Sequence, residues 1–456
     1  MGAVGLNFGS ATSGAGFDVT STVNQIVTNL QTVEGPWKAQ ITKLTSQDTQ
    51  LTGLGTQLST LTTDLRNLTD FTGVLAAKQG SSSDIGVLTL TSAATSANAG
   101  THTITVQNLA QTSTAASGVV AATDVLSGSV SIQGGSGTTY TVNVDSASPT
   151  LAGLAAAINA ASIGVRATVL TDTKGARLSI VSSTNGASGA LTVSSALTNI
   201  STTSAVFLTQ IQAGKDANML VDGVQLTSAS NTVTNAIPGV TFQLLSVPAT
   251  TESVQVVIAN DTASVALAVN TFVTDYNRVM KAINAQEGKD SSGNAEPLFG
   301  TSVLARLQES LQSSLSAAFG SGVVNSTYSL GITSNRDGTI SLNTDTLTSI
   351  LNTNYSEVSG FFQNAGGFGA IFASTLDDLG GSNSGGAITL ALSENKSQEK
   401  TLTDDVANQE ALIATRKTHL TAELNAANQI LQSIPSLINQ VNEMYSAVTG
   451  YNSKNG

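Results

Sequence analysis

Apolar residues in the first seventy positions recur on a seven-residue repeat. Asp18 or Thr20 can cap a helix, from which Val23, Ile26, Leu30, Val33, Trp37 and Leu44 follow at helical spacing. Gly35 and Pro36 predict an interruption, because proline withdraws a helical hydrogen bond and crowds the preceding turn. Beyond them the pattern is strict. Leu51, Leu54, Leu58, Leu61, Leu65 and Leu68 alternate spacings of three and four, a stripe that predicts a helix–helix seam. Gln40 and Gln47 fall on the same stripe and favour one register at some cost in stability.

From about Thr72 to Asp261 the period changes to two. Thr101–Val106, Val130–Gln133, Tyr140–Val144, Val165–Leu170, Arg177–Val181, Thr241–Leu245 and Val254–Ile258 alternate apolar and polar residues between Gly, Ser, Asn, Asp or Pro. That predicts half-buried strands with threonines facing water. Leu151–Ala161 breaks the period and predicts a short helix after Pro149.

Helical spacing returns at Val265, Val269, Phe272, Tyr276, Val279 and Ile283, and again at Leu304, Leu307, Leu311 and Leu315. Leu330–Leu342 predicts a hairpin with Arg336, Asp337 and Gly338 at its turn. Gly380–Gly386 has the composition of a flexible joint. A long helical segment follows, with Val406, Ile413, Leu420, Ala427, Ile434, Val441 and Val448 seven apart. Its companion positions are polar early (Gln409, Arg416, Glu423) and apolar late (Ile430, Leu437, Met444, Tyr451). Pro435 is expected to kink or divide this helix.

Helical seams at both ends of the chain bracket strand-rich sequence. The ends can pair antiparallel only if the middle is an insertion. The expected fold is therefore α+β and elongated: an antiparallel helical or coiled-coil stalk built from both termini, with inserted β-rich distal domains. The expected segments are an amino-terminal leg (1–40), a stalk helix (41–71), a β-rich head of two subdomains (72–261), a helical portion with a hairpin (262–380), and carboxy-terminal stalk and leg helices (387–456). The expected interaction seam comprises Val23, Ile26, Leu30, Val33, the six leucines from Leu51 to Leu68, Ile413, Leu420, Ile430, Ile434, Leu437, Val441, Met444 and Val448.

Composition narrows the chemistry. Only 11% of the 456 residues are charged, against about 25% in ordinary soluble domains, so solubility must rest on hydroxyls and amides. Aromatics make up 4%, which predicts cores of small and β-branched side chains. The net charge of −12 and the absence of any dense Lys/Arg stretch argue against a nucleic-acid partner. No apolar run is long enough for membrane insertion, and the first residues lack the pattern of a Sec signal peptide. Without cysteine there is no disulfide, thiolate nucleophile or cysteine-based zinc site.

Candidate catalytic motifs are weak. Gly134–Thr139 lacks the lysine of a phosphate-binding loop. A calcium loop centred on Gly338 would place Thr333 and Thr344 where carboxylates are needed. His102 and His419 lie far apart, and neither sits in a nucleophile motif. No catalytic residue, cofactor or metal is expected, and the chain is not expected to be an enzyme.

Several segments together resemble the flagellar filament-cap family, hook-associated protein 2. Ser13–Val27 resembles its amino-terminal signature, and Ala99–Ser117 resembles the opening of its distal β-domains. Leu151–Asp172 is similar to a motif shared by hook-associated proteins and flagellins. Gly214–Leu245, with Asp222-Gly223 and Ile237-Pro238-Gly239, is the most specific match. Leu330–Leu347 and the following SEVSGFF resemble the family's carboxy-terminal portion.

The resemblance implies a homo-oligomeric ring of about five copies at the distal tip of a bacterial flagellum. The ring would promote flagellin folding and insertion and prevent its leakage. Helical ends would act as legs on the filament opening, and the β-rich middle would form a plate. Implied partners are the chain itself, flagellin, hook-associated junction proteins and an export chaperone, and implied export is through the flagellar apparatus without a cleaved signal. Isolated legs are expected to leave apolar residues partly exposed, since short helices draw most stability from packing. A polymerising filament or hook-junction subunit, an extracellular adhesin of glycans, and a hydrolase with a site in the middle region are the alternative readings.

Overall fold

A computed structural model of the protein describes residues 13–249, 252–319, 322–380 and 385–450. Its helices are α1 (Val19–Gln31), α2 (Gly35–Thr69), α3 (Leu151–Ala160), α4 (Thr262–Gln286), α5 (Ser302–Ser316), α6 (Thr344–Thr353), α7 (Tyr355–Gln363), α8 (Phe368–Leu379) and α9 (Ala387–Thr449). The chain divides into two units. A helical unit comprises Met1–Arg66 with Val269–Gly456, and a β-rich unit comprises Asn67–Ala268.

In the helical unit Asp18 caps α1, its carboxylate accepting from the Ser21 amide at 3.0 Å. The interruption expected at Gly35-Pro36 falls slightly earlier. A single 3₁₀ turn, Thr32–Glu34, separates α1 from α2, and Pro36 sits in the first turn of α2, where its missing N–H costs nothing. α2 then runs unbroken past Gln40 and Ile41, where the leg was expected to give way to the stalk. All six leucines from Leu51 to Leu68 are buried.

α2 and α9 are antiparallel. Lys38 meets Glu410 at 3.2 Å, the Thr45 hydroxyl donates to Glu399 at 2.9 Å, and Asn395 donates to Asp48 at 2.8 Å. Positions ascend on one helix as they descend on the other, so the two distant ends of the chain pair side by side.

The rest of this unit departs from the expected small-residue core. Phe272 and Tyr276 of α4 meet Phe372 of α8 at ring-centroid distances of 5.5 and 6.4 Å. Phe319, Phe361, Phe362 and Phe368 complete the cluster. Few aromatics occur in the chain, but Phe272, Tyr276, Phe319, Phe361, Phe362, Phe368 and Phe372 meet where α4, α7 and α8 converge. The hairpin Ile332–Ser334/Ile340–Leu342 forms as expected. It is clamped by Asn277 of α4, whose side chain donates to the Ile340 carbonyl and accepts from its amide, both at 2.7 Å. The joint expected over Gly380–Gly386 falls largely on 381–384, outside the described residues.

The β-rich unit contains two apolar cores. One is built from both flanks of the unit, including Ile104, Val106, Met219, Phe242 and Val256. It is formed by an antiparallel five-stranded sheet, in spatial order Lys78–Ser82, Val254–Asn260, Gly100–Asn108, Ala217–Val221, Val224–Ser228, and by a three-stranded sheet of Thr232–Thr234, Val240–Leu244 and Leu88–Ala93. The second core lies between these flanks in sequence, from Val120 to Leu208, with Leu154 and Ile158 of α3 buried in it. The strands before and after it are joined by reciprocal backbone hydrogen bonds between Gln111 and Lys215.

Asp222 and Gly223 form a two-residue turn between Val221 and Val224 with φ of +53° and +84°. Both values demand left-handed backbone, which explains a glycine preceded by aspartate.

Candidate interaction surface of the helical ends

The face that α9 turns inward keeps Val406, Ile413, Leu420 and Ile434 of its seven-residue repeat and departs from it elsewhere. Ile413 is buried, and Leu420, Leu424, Asn428, Leu431, Ile434 and Pro435 are half-buried. α1 packs along α9, with the Phe17 amide donating to Asn428 Oδ1 at 2.9 Å. Ala427 and Glu423, on the expected stripe, are exposed. Leu424 and Leu431 are the residues that the periodic reading missed. Their signal was available: they extend Ile413 and Leu420 by steps of four and seven, a drift that follows from 3.6 residues per turn in a helix without supercoil.

Apart from half-buried Ile434, the later half of the predicted seam is left exposed by the described residues. Ile430, Leu437, Val441 and Met444 are exposed, and Val448 is 85% exposed. Ile438 and Tyr445 widen the strip. Leu437 lies seven residues after Ile430, and Val441, Met444 and Val448 follow it at steps of four, three and four, so they share one face. An amphipathic helix presenting such a face to water carries an unsatisfied apolar surface.

Pro435 does not divide α9, which continues to Thr449. It withdraws the N–H that the Leu431 carbonyl would accept in a regular helix. Two serine hydroxyls supply donors on the same turns, Ser433 to the Ile430 carbonyl and Ser436 to that of Ser433, each at 2.7 Å.

On α1 the predicted seam is partly inward. Val23 is buried, and Ile26 and Leu30 are half-buried. Val33 is 51% exposed because the 3₁₀ turn at Thr32–Glu34 rotates it away, and Glu34 takes the inward position at 2% exposed. The Glu34 carboxylate is held by Lys38 at 2.8 Å, and Glu410 reaches the same ammonium. Hydrogen bonds from Lys38 to Glu34 and to Glu410 push the lysine pKa up. Leu30, Leu412, Ile413, Arg416 and His419 line a groove of about 380 Å³ between α1 and α9.

One carboxyl group stands out. Asp64 of α2 is pushed up to about 6, first by burial, then by hydrogen bonding to the Asp275 carboxyl and by its charge, with Arg278 opposing. Arg278 holds Asp275 at 2.7 Å, and one oxygen of Asp64 is buried without a partner. In the β-rich unit His102 Nδ1 lies 2.7 Å from Asp222, and this contact, with the Thr103 amide, holds the carboxyl below its usual range.

The other chemical candidates resolve into turns. Asp337 accepts from the Thr339 amide and hydroxyl at 3.0 and 2.6 Å, closing its own loop where a calcium site had been weighed. His102 and His419 lie in different units. Among the described residues no group of three or more His, Cys, Asp or Glu could hold a metal ion, and no helix is long and apolar enough to cross a membrane.

Comparison with known proteins identifies relatives of this arrangement. The family models described as flagellar hook-associated protein 2 N-terminus and C-terminus match residues 15–113 and 214–436, together well over half of the chain. The chain is 30% identical over 298 residues to the B-type flagellar hook-associated protein 2 of Pseudomonas aeruginosa, covering 59% of this chain and 63% of that protein. It is 32% identical over 170 residues to the polar flagellar hook-associated protein 2 of Vibrio parahaemolyticus, covering 35% of this chain and 25% of that protein. The matches thus span less than two thirds of the length of these relatives. The crystal structure of the D1-D2-D3 domains of the flagellar cap protein FliD from Escherichia coli superposes with a TM-score of 0.55 at 25% identity, over 76% of this chain and 99% of that one. The residues between the two family matches hold the second β-core.

Proposed function

The chain belongs to the flagellar hook-associated protein 2 family, and on that premise we propose that it works as a filament cap, a structural homo-oligomer at the distal tip of the flagellum. In this reading the paired helical ends are the legs and the β-rich unit is the plate. The legs seat on the filament opening, flagellin folds beneath the plate, and closure of the ring prevents its escape.

The observation that carries the proposal is the apolar face of α9 from Ile430 to Val448, exposed in the single chain. Full burial of each such side chain contributes about 1.5–3 kcal/mol, so a few of them stabilise docking substantially. A surface of this kind suits reversible seating, because a cap must leave one position to reach the next. Neighbouring copies and flagellin at the filament end are its expected partners. Junction proteins, an export chaperone and passage through the flagellar apparatus complete the reading, and no catalytic chemistry enters it.

Electron microscopy of the purified full chain, alone and mixed with filaments of its own flagellin, tests this. The expected result is small closed rings, found on filament ends after mixing. Open fibres of the chain itself would favour a polymerising subunit instead. Monomers that ignore filament ends would defeat the proposal.

A further inference from the structure

The inward stripe of α9 and its exposed stripe part company at one place. Up to Pro435 the half-buried positions follow α1, whereas among the described residues beyond it only Ser446 is even partly covered. The short segment before α1 lies against this turn. Gly14 and Gly16 have φ of +68° and +67°, a region that side chains strain to occupy. A Cβ on Gly14 would lie 2.9 Å from Pro435 Cγ, and one on Gly16 would overlap Asn428 Oδ1. Between the two helices the Phe17 amide donates to Asn428 Oδ1 at 2.9 Å.

These contacts meet where the α9 ladder is weakest. Pro435 lacks the N–H owed to the Leu431 carbonyl, so this turn bends at lower cost than its neighbours. A backbone without Cβ atoms can approach it closely, and the Asn428 side chain supplies the acceptor that fixes it.

We propose that residues 13–17 form a clasp on α9 at its proline turn, so that α9 up to Ile434 is tied to α1 while the arm from Ser436 to Thr449 pivots. The clasp sets where the fixed part of the helical end stops. The arm beyond carries Leu437, Val441 and Met444, and it can reorient toward a surface without disturbing the pairing of α1, α2 and α9. This inference concerns the single chain and stands whether or not the protein caps a filament.

Hydrogen exchange on the full chain, read by mass spectrometry at peptide level, tests it with Gly16→Ala, Asn428→Leu and Asn428→Asp. Gly16→Ala and Asn428→Leu should speed exchange of Phe17 and the first turn of α1 at least tenfold, leaving 51–65 unchanged. Asn428→Asp keeps the acceptor and should retain protection. In the unaltered chain 437–449 should exchange at least tenfold faster than 420–434. Unchanged exchange at Phe17 in both disrupting variants would overturn the clasp. So would equal acceleration in 51–65, which would mark general loosening. Equal rates on the two sides of Pro435 would overturn the pivot.

Discussion

At the residue scale, the physical chemistry of this chain is set by small numbers of charges in places with little water. Asp64 illustrates it. Burial and the neighbouring Asp275 carboxyl raise its pKa to about 6, so between about pH 4 and pH 6 the folded chain binds a proton that the unfolded chain has already released. Stability contributed by that proton is present below the unfolded value and is lost as pH rises through the folded one. Asp64→Asn mimics the protonated form. It should stabilise the helical unit at pH 7 by about 1 kcal/mol after solvent screening, and hardly at all at pH 4. Thermal melts followed by Trp37, which lies on α2 in the same unit, would check this. An equal effect at both pH values would contradict it. Asp222 has the opposite sign, since its contact with His102 holds its pKa down and favours the native turn above the acid range. No periodic reading could find the Asp64 pair, because Asp64 and Asp275 meet only through the pairing of helices two hundred residues apart.

At the element scale, hydrophobic period was a good guide where one face of a helix is buried and a poor one where a helix has two apolar faces. The leucines of α2 obey a strict repeat, and all six are buried. Alternation likewise located the long strands around Ile104, Ile180 and Val256, which lie in buried sheet faces. The strand Lys78–Ser82 escaped notice because it carries no apolar side chain to alternate. α9 shows the harder case. Its repeat identified the outer stripe at Ile430, Leu437 and Val441, whereas the inner one at Leu424 and Leu431 drifts across the heptad. This difference predicts contrasting variants. Leu61→Ala should cost about 2–5 kcal/mol in urea unfolding followed by Trp37 fluorescence, because Leu61 is fully enclosed and a cavity remains. Leu437→Ala should change stability by less than about 0.5 kcal/mol, as expected of a surface site. Similar costs for the two would mean that the outer stripe is covered within the chain.

At the scale of the whole molecule, the pairing of α2 with α9 brings distant parts of the sequence together, and the β-rich unit is an insertion between them. Sequence order made this legible, since helical seams at both ends around strand-rich sequence admit few other topologies. Two cores in the β-rich unit were also foreseeable from its length, but their nesting was not, because it depends on strands at Gly100–Asn108 and Ala217–Val221 pairing across the intervening core. The aromatic cluster of α4, α7 and α8 was hidden by an average: aromatics are rare in the chain, yet half of its twelve phenylalanines meet in this one cluster. The account rests on the claim that the outer face of α9 serves assembly and not folding. Val441→Asp with Met444→Asp, introduced into cells whose own copy of this gene has been deleted, tests that claim most directly through flagellin released into the medium. The unaltered chain should restore filaments and retain flagellin. The double variant, with an unchanged urea midpoint, should leave cells without filaments and leaking monomer. Restoration of filaments by the double variant to the same extent would contradict the account.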